Sequence, residues 1–251
     1  MKRAHFIGIA GLGMSATAKL LKDLGWQVSG SDSDSYPPAS DYLARQGISF
    51  ATGYDPKNIP EKPDLIVIGK TSKLTSKDNE EVRAALRSAA SVQSFPEVLA
   101  GLSAKTENIV VAGSYGKSTC AALLAWCLSQ NGLDPSYFIG AVPVDMPETS
   151  RIGKGKLFIL EGDEYPSSNT DPRSKFLWYR PDNLLLTAAE HDHVNVFPTL
   201  TEYLAPFREL LARVPEKGDP AAGSPSLSAS ALPLPARAAR GGWRPSDTSR
   251  L

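Results

Sequence analysis

From the N-terminus to about Pro215, short apolar runs alternate with stretches whose apolar residues recur three and four positions apart. The first pattern predicts buried strands and the second amphipathic helices. Residues 4–10 (AHFIGIA) read as a strand. A glycine turn follows, then a helix from about Met14 to Leu24 with Ala16, Leu20, Leu21 and Leu24 on its apolar side, closed by Gly25. Residues 26–31 (WQVSGS) read as the next strand, ending at Asp32. Tyr36-Pro37-Pro38 marks a loop, and Ala39 to Gln46 a helix closed by Gly47. Residues 64–69 (DLIVIG) are the clearest strand of this half, and Asn79 to Ala90 a helix with Val82, Ala85, Leu86 and Ala89 on one face.

A second unit starts near residue 105. Residues 108–112 (NIVVA), 156–160 (KLFIL) and 183–188 (NLLLTA) read as buried strands. Ser118 to Gln130 is an apolar helix ended by Asn131-Gly132, and Thr199 to Val214 an amphipathic one with Tyr203, Leu204, Phe207, Leu210 and Leu211 inward. Pro206 predicts a kink or a restart within it. The alternation of strands and helices predicts an α/β fold, a parallel sheet with helices on its faces, in each of two units, 1–103 and 104–215. In residues 216–251, 22 of 36 positions are Ala, Pro, Ser or Gly and no apolar period survives, so this tail is expected to be disordered.

Composition narrows the partners. Lys+Arg and Asp+Glu are both 27, and the pI is about 6.8, which argues against bulk binding to nucleic acid or a membrane surface. No run of about 18 apolar residues exists to span a bilayer. The basic-then-apolar N-terminus is interrupted by Gly8, Gly11 and Gly13 and followed by Lys19, Lys22 and Asp23, unlike a signal peptide. A cytoplasmic protein is the expectation. Cys120 and Cys127 lie about 10 Å apart along one predicted helix, too far to bridge, and read as small core residues.

Four clusters could carry chemistry. The first, G8-I-A-G11-L-G13-M14, joins a strand to a helix, where backbone amides can meet a phosphate or simply make a tight turn. Its GxxGxG spacing is not the dinucleotide GxGxxG, and Asp32 at the end of the next strand stands where an acid often meets a ribose. The second, G113-S-Y-G116-K117-S118-T119, also lies between strand and helix. Val111 replaces the first glycine of the ordinary P-loop spacing, but the ingredients remain: amides at Ser114 to Lys117 for an anion nest, Lys117 for phosphates, and the Ser118 or Thr119 hydroxyl for Mg²⁺. The third, L160-E161-G-D163-E164-Y165, puts carboxylates just past a buried strand, where a hard cation would find oxygens. The fourth, E190-H191-D192-H193, follows the strand 183–188 and offers a histidine to a metal site.

Taken in order, GIAGLGM, GSYGKST, LEGDEY and EHDH resemble the motifs of the Mur ligase family, ATP-dependent amide-forming enzymes acting on UDP-N-acetylmuramate derivatives. SDSDSYPPAS (31–40), GYDP (53–56), FIGAVP (138–143), DPRSKF (171–176) and YRPDNLLL (179–186) resemble its murein peptide ligase subgroup. The resemblance covers about residues 3–215. It implies a Rossmann-like parallel-sheet domain over 1–103, followed by an incomplete P-loop-type central domain over 104–215. Gly8, Gly11, Gly13, Met14 and Asp32 would then bind UDP-N-acetylmuramate. Gly113, Ser114, Tyr115, Gly116, Lys117, Ser118 and Thr119 would hold ATP. Ser118, Glu161 and His193 would hold Mg²⁺, with Lys117, Glu161 and His193 the residues of the chemistry. The second substrate would be the tripeptide L-alanyl-γ-D-glutamyl-meso-diaminopimelate or, on the alternative reading, L-alanine. Tyr115 replaces the family's usual His or Asn, and Asn169 and Thr170 replace aromatic residues. Members also have a third domain that receives the incoming amine. Without it, the 251-residue chain is expected not to complete amide formation, or to act as a binding-only fragment.

Overall fold

The computed structural model describes residues 1–34, 37, 39–143, 146 and 148–216. Tyr36 and Pro38 of the expected loop, and the expected disordered tail from residue 217 onward, lie outside the described residues. Within them the chain forms two five-stranded sheets flanked by helices.

The first sheet contains β1 (Arg3–Ile7), β2 (Gln27–Asp32), β3 (Ala51–Thr52), β4 (Leu65–Ile68) and β5 (Ser91–Gln93) in the order β3-β2-β1-β4-β5, all parallel. Helices α1 (Leu12–Asp23), α2 (Ala39–Arg45), α3 (Glu80–Arg87) and α4 (Phe95–Leu102) connect or flank these strands. Strand order reverses between β1 and β4, so a crevice opens beyond their carboxyl ends, where open α/β sheets bind ligands. The second sheet contains β6 (Glu107–Ala112), β7 (Ser136–Phe138), β8 (Ser150–Arg151), β9 (Leu157–Gly162) and β10 (Asn183–Leu186), in the order β10-β6-β9-β7-β8. Only β8 runs antiparallel to its neighbour. Helix α5 (Lys117–Gln130) follows β6, and α6 (Leu200–Ala212) follows β10.

Local chemistry fixes the boundaries. The expected strand 4–10 ends at Ile7 because the Gly8 and Ile9 amides turn to donate to Ser31 O, at 2.8 and 3.1 Å. Asn79 caps α3 by accepting from the Val82 amide. Glu97 accepts from the Ser94 amide and hydroxyl at the start of α4, and Glu202 does the same for Thr199 at α6. Helix α6 runs through Pro206 as one segment, without the restart that was the alternative to a kink. Strands β3, β5, β7 and β8 and helix α4 have no counterpart in the apolar pattern. The four strands are only two or three residues long, too short for a period to show.

One core joins the two sheets. Ala16 and Leu20 of α1 and Leu99 of α4 pack in the same apolar cluster as Val110, Phe158, Leu160, Phe176 and Phe207. On its other side α1 gives Met14, Ala18 and Leu21 to the core of the first sheet, with Phe6, Leu43 and Val67. Ser150 Oγ donates to Ala16 O at 2.8 Å, and Lys19 Nζ sits 2.6 Å from Glu148 and 2.5 Å from Asp23. Among the described residues no helix is long and apolar enough to cross a membrane.

Candidate active site

The first glycine cluster forms the turn from β1 to α1. A cavity of about 490 Å³ opens beside it, lined by Gly11, Gly13, Met14 and Asp32 together with Gly69, Lys70 and Lys175. Gly8 also lines it, with φ +84°. A Cβ on Gly11 would come no nearer than 3.7 Å to another group, whereas one on Gly13 would press on the Phe95 ring at 2.9 Å. Asp32, expected to meet a ribose, is committed to shaping the turn. Its Oδ2 accepts from the Ala10 amide at 2.9 Å, and its Oδ1 accepts from the Ser33 amide and the Tyr54 hydroxyl, at 2.8 and 3.0 Å. Burial, together with the Asp32 charge, pushes the Tyr54 hydroxyl up to about 12, so Tyr54 stays a donor.

A network built on the fully buried pair His5 and Glu81 supports this turn. His5 Nε2 lies 2.7 Å from Glu81 Oε1, and its Nδ1 lies 2.8 Å from Ser29 Oγ. Glu81 also accepts from Ser31 Oγ, the Asp55 amide and Asn58 Nδ2. It thereby fastens the segment that carries Tyr54.

The second glycine cluster links β6 to α5. Gly113 has φ +141°, and a Cβ there would fall 2.3 Å from Thr187 Oγ1 and 2.7 Å from Ala188 O. Only glycine lets the loop pass this close to the end of β10. Ser114 ties the loop down: its amide donates to Ala188 O, its hydroxyl to Glu190 O, and it accepts from the Tyr203 hydroxyl. The expected anion nest therefore lacks the Ser114 amide. Among the described residues, nothing accepts from the amides of Tyr115 to Thr119 at the start of α5. That leaves a row of donors at a helix N-terminus. Tyr115 is exposed, and its carbonyl accepts from Thr187 Oγ1.

Lys117 folds back over the loop. Its ammonium donates to Gly113 O at 2.6 Å and to Ser114 O at 3.2 Å, and stands 3.0 Å from Glu164 Oε2. Glu164 is almost wholly buried and reaches His193 Nε2 at 3.0 Å through its other oxygen. His193 Nδ1 pairs with the Tyr165 hydroxyl at 3.0 Å. Glu161, opposite Val111 in the β6–β9 register, accepts from Ser118 Oγ at 2.9 Å and from the Gly140 amide at 2.7 Å. Burial pushes the Glu161 carboxyl above its ordinary range, against those two hydrogen bonds and the nearby Lys117 charge.

The structure thus brings Ser118 to Glu161, and Lys117 to Glu164 and His193. It does not bring His193 to Glu161, and among the described residues no three side chains form a ready metal-ligand group. Among the described residues the Thr119 side chain makes no hydrogen bond. Sequence reasoning assigned no role to Lys70, Tyr165 or Lys175. Lys70 follows Gly69 at the end of a strand, as Gly8 follows β1, and Lys175 lies in the DPRSKF segment.

A model of the Mur ligase family, catalytic domain, matches residues 3–106. The crystal structure of UDP-N-acetylmuramate:L-alanyl-γ-D-glutamyl-meso-diaminopimelate ligase from Neisseria meningitides superposes with a TM-score of 0.78 at 34% identity. That match covers 87% of this chain and 70% of that one. The chain belongs to the Mur ligase family. A Mur ligase of Escherichia coli (strain K12), named for the same UDP-N-acetylmuramate and tripeptide substrates, is 36% identical over 217 residues, 86% of this chain and 47% of its own length. The UDP-N-acetylmuramate–L-alanine ligase of Paenarthrobacter aurescens (strain TC1) is 36% identical over 230 residues, 92% of this chain and 48% of its own. The chain spans about half the length of the curated Mur ligases it matches.

Proposed function

We propose that this chain carries the sugar-nucleotide site and the ATP-phosphate site of an ATP-dependent ligase joining L-alanyl-γ-D-glutamyl-meso-diaminopimelate to UDP-N-acetylmuramate. A cytoplasmic location belongs to this reading. The observation that carries it is the cavity at the first glycine turn, which is also lined by Lys175, a residue from the segment between β9 and β10. A sugar nucleotide held at one loop would extend toward the other.

The residues would act as follows. The turn Gly8–Met14 would let the substrate approach backbone closely, with Asp32 holding the turn in shape. Lys117 would leave the Gly113 and Ser114 carbonyls for phosphate oxygens, joined by the free amides of residues 115–119. Ser118 Oγ and Glu161 Oε1, 2.9 Å apart, are hard oxygen donors and fit Mg²⁺ shared with phosphate. Bound there, Mg²⁺ would offset negative charge on the phosphoryl oxygens. His193 would hold Glu164 in place and could join a metal only by leaving that carboxylate. The muramoyl carboxylate would attack the γ-phosphorus, with ADP leaving. The peptide amine would then attack the acyl carbon, lose its proton and expel phosphate.

The relatives named as L-alanine ligases support L-alanine as a second reading of the incoming amine. Calorimetry on the 251-residue chain tests the two-site claim. UDP-N-acetylmuramate and Mg²⁺-ATP should bind together, each leaving a site for the other. Competition between them, or no binding of either, would overturn it.

A further inference from the structure

Between β9 and β10 the chain makes a hairpin whose arms are stitched together by their own bonds. The Lys175 amide donates to Tyr165 O at 2.9 Å, and Pro166 and Ser174 pair in an isolated antiparallel bridge. Ser167 donates to Arg173 O from its amide and from its hydroxyl, both at 2.8 Å. At the tip, Ser168 Oγ accepts from the amides of Thr170 and Asp171, and the Ser168 amide donates to Asp171 O at 3.2 Å. Asp171 accepts from Arg173 through both carboxylate oxygens and also from Trp178 Nε1.

Asn169 stands exposed at that tip. Its Nδ2 donates to Thr71 O and to Leu74 O, both at 2.8 Å. Both acceptors belong to the loop between β4 and α3, in the first unit. Among the described residues no other hydrogen bond joins the hairpin to that unit.

The loop it grips shapes the cavity at the first glycine turn. Gly69, Lys70, Thr71 and Leu74 all line that cavity, and so does Lys175 of the hairpin, whereas Asn169 does not. Leu74 is buried and packs on the glycine turn: a Cβ on Gly8 would fall 2.7 Å from its Cδ1. The Leu74 amide donates back to Thr71 O at 3.1 Å, so Asn169 clasps a turn already bent on itself. Gly69 and Leu74 also line a second cavity, of about 590 Å³, together with Asn169. The loop is a partition between the two cavities, and Asn169 grips it from the second.

We propose that Asn169 is a positioning residue for the sugar nucleotide: by fixing the 71–74 turn it sets the shape of the first cavity without lining it. This rests on reading that cavity as the sugar-nucleotide site. Two carbonyls are satisfied at once only by a side chain with two N–H donors on one atom. An aromatic ring, the residue type that Asn169 replaces, offers no such pair.

Calorimetry with UDP-N-acetylmuramate, paired with amide hydrogen exchange, tests this on the 251-residue chain. Asn169→Ala removes both donors and leaves the hairpin's own bonds in place. It should weaken the ligand about tenfold. It should also speed exchange at the Leu74 amide, with the amides of β1 and β4 unchanged. Asn169→Asp keeps the size but turns carboxylate oxygens on two carbonyls, and should weaken the ligand at least as much. Binding by Asn169→Asp equal to the parent's would show that size and not donation matters, and would overturn the proposal. Unchanged affinity or unchanged Leu74 exchange in Asn169→Ala would overturn it too, as would faster exchange throughout the first sheet, the mark of a purely structural role. Each of these outcomes leaves the cavity reading intact. A parent that does not bind UDP-N-acetylmuramate would overturn that reading, and the proposal with it.

Discussion

Glu164 Oε2 lies 3.0 Å from the ammonium of Lys117, so the lysine of the second glycine loop already has an ion-pair partner within the chain. On the proposed reading, nucleotide phosphates draw Lys117 off the Gly113 and Ser114 carbonyls while the glutamate stays beside it. Lys117→Ala should weaken Mg²⁺-ATP binding by about 1.5–3 kcal/mol, the scale of a hydrogen bond to a charged group. Binding equal to the parent's in calorimetry would remove Lys117 from the phosphate site.

Glu161 carries a pH signature. Its carboxyl is held above the ordinary value of 4.5, chiefly by burial, so the folded chain holds that proton more tightly than the unfolded chain. Its contribution to stability is greatest below 4.5 and is lost as pH rises through the raised folded value. Glu161→Gln should therefore melt higher than the parent at about pH 7, with the gap closing as the solution is acidified. The same change should weaken the Mg²⁺-dependent part of ATP binding by about 1.5–3 kcal/mol. A variant that melts lower at neutral pH contradicts the burial argument.

Gly11 and Gly113 should separate binding from folding. Gly11→Val places its Cβ at ordinary contact distance, 3.7 Å from Met14 and 3.8 Å from Gly8 O. It should change stability by no more than about 1 kcal/mol while blocking UDP-N-acetylmuramate. Gly113→Ala puts a methyl group onto Thr187 and Ala188 at φ +141° and should cost roughly 2–4 kcal/mol of stability. Denaturant titration reads both, and similar losses in the two would refute the distinction. Gly13→Val is a poor probe of binding because it displaces Phe95.

Glu81 is the keystone of the network that supports the first turn. Glu81→Ala should cost about 3–5 kcal/mol, because it strands His5, the Asp55 amide and Asn58 without their partner. Urea unfolding monitored by tryptophan fluorescence measures this. A loss below about 1 kcal/mol would mean that the network contributes no more than a surface pair.

The two glycine loops were legible because each breaks an apolar run just before a helix, a signal carried by adjacent residues. The α/β alternation was legible for the same reason. The partner of Asp32 was not, since Tyr54 stands 22 residues away on a loop without periodicity. Whether His193 would meet Glu161 or Glu164 depends on where β9 ends. It ends at Gly162, which keeps Glu161 in register beside β6 and drops Glu164 into the turn beyond. A three-residue spacing in the sequence cannot show that boundary. Lys70 went unassigned because a lone lysine after a strand reads as surface until Lys175 is placed beside it.

Helix α1 gives Met14, Ala18 and Leu21 to one core and Ala16 and Leu20 to the other. A hinge between the two sheets would have to peel one face of that helix from its neighbours and expose several apolar side chains. At about 25 cal/mol per Å² of apolar surface, that is a steep cost for a hinge motion. The helix begins at the first glycine turn, so a displacement there would pass along a stiff rod, by way of Ala16 and Ser150, to the edge of the second sheet. The pair of sheets behaves as one chassis, and the parts free to move are the turns mounted on it.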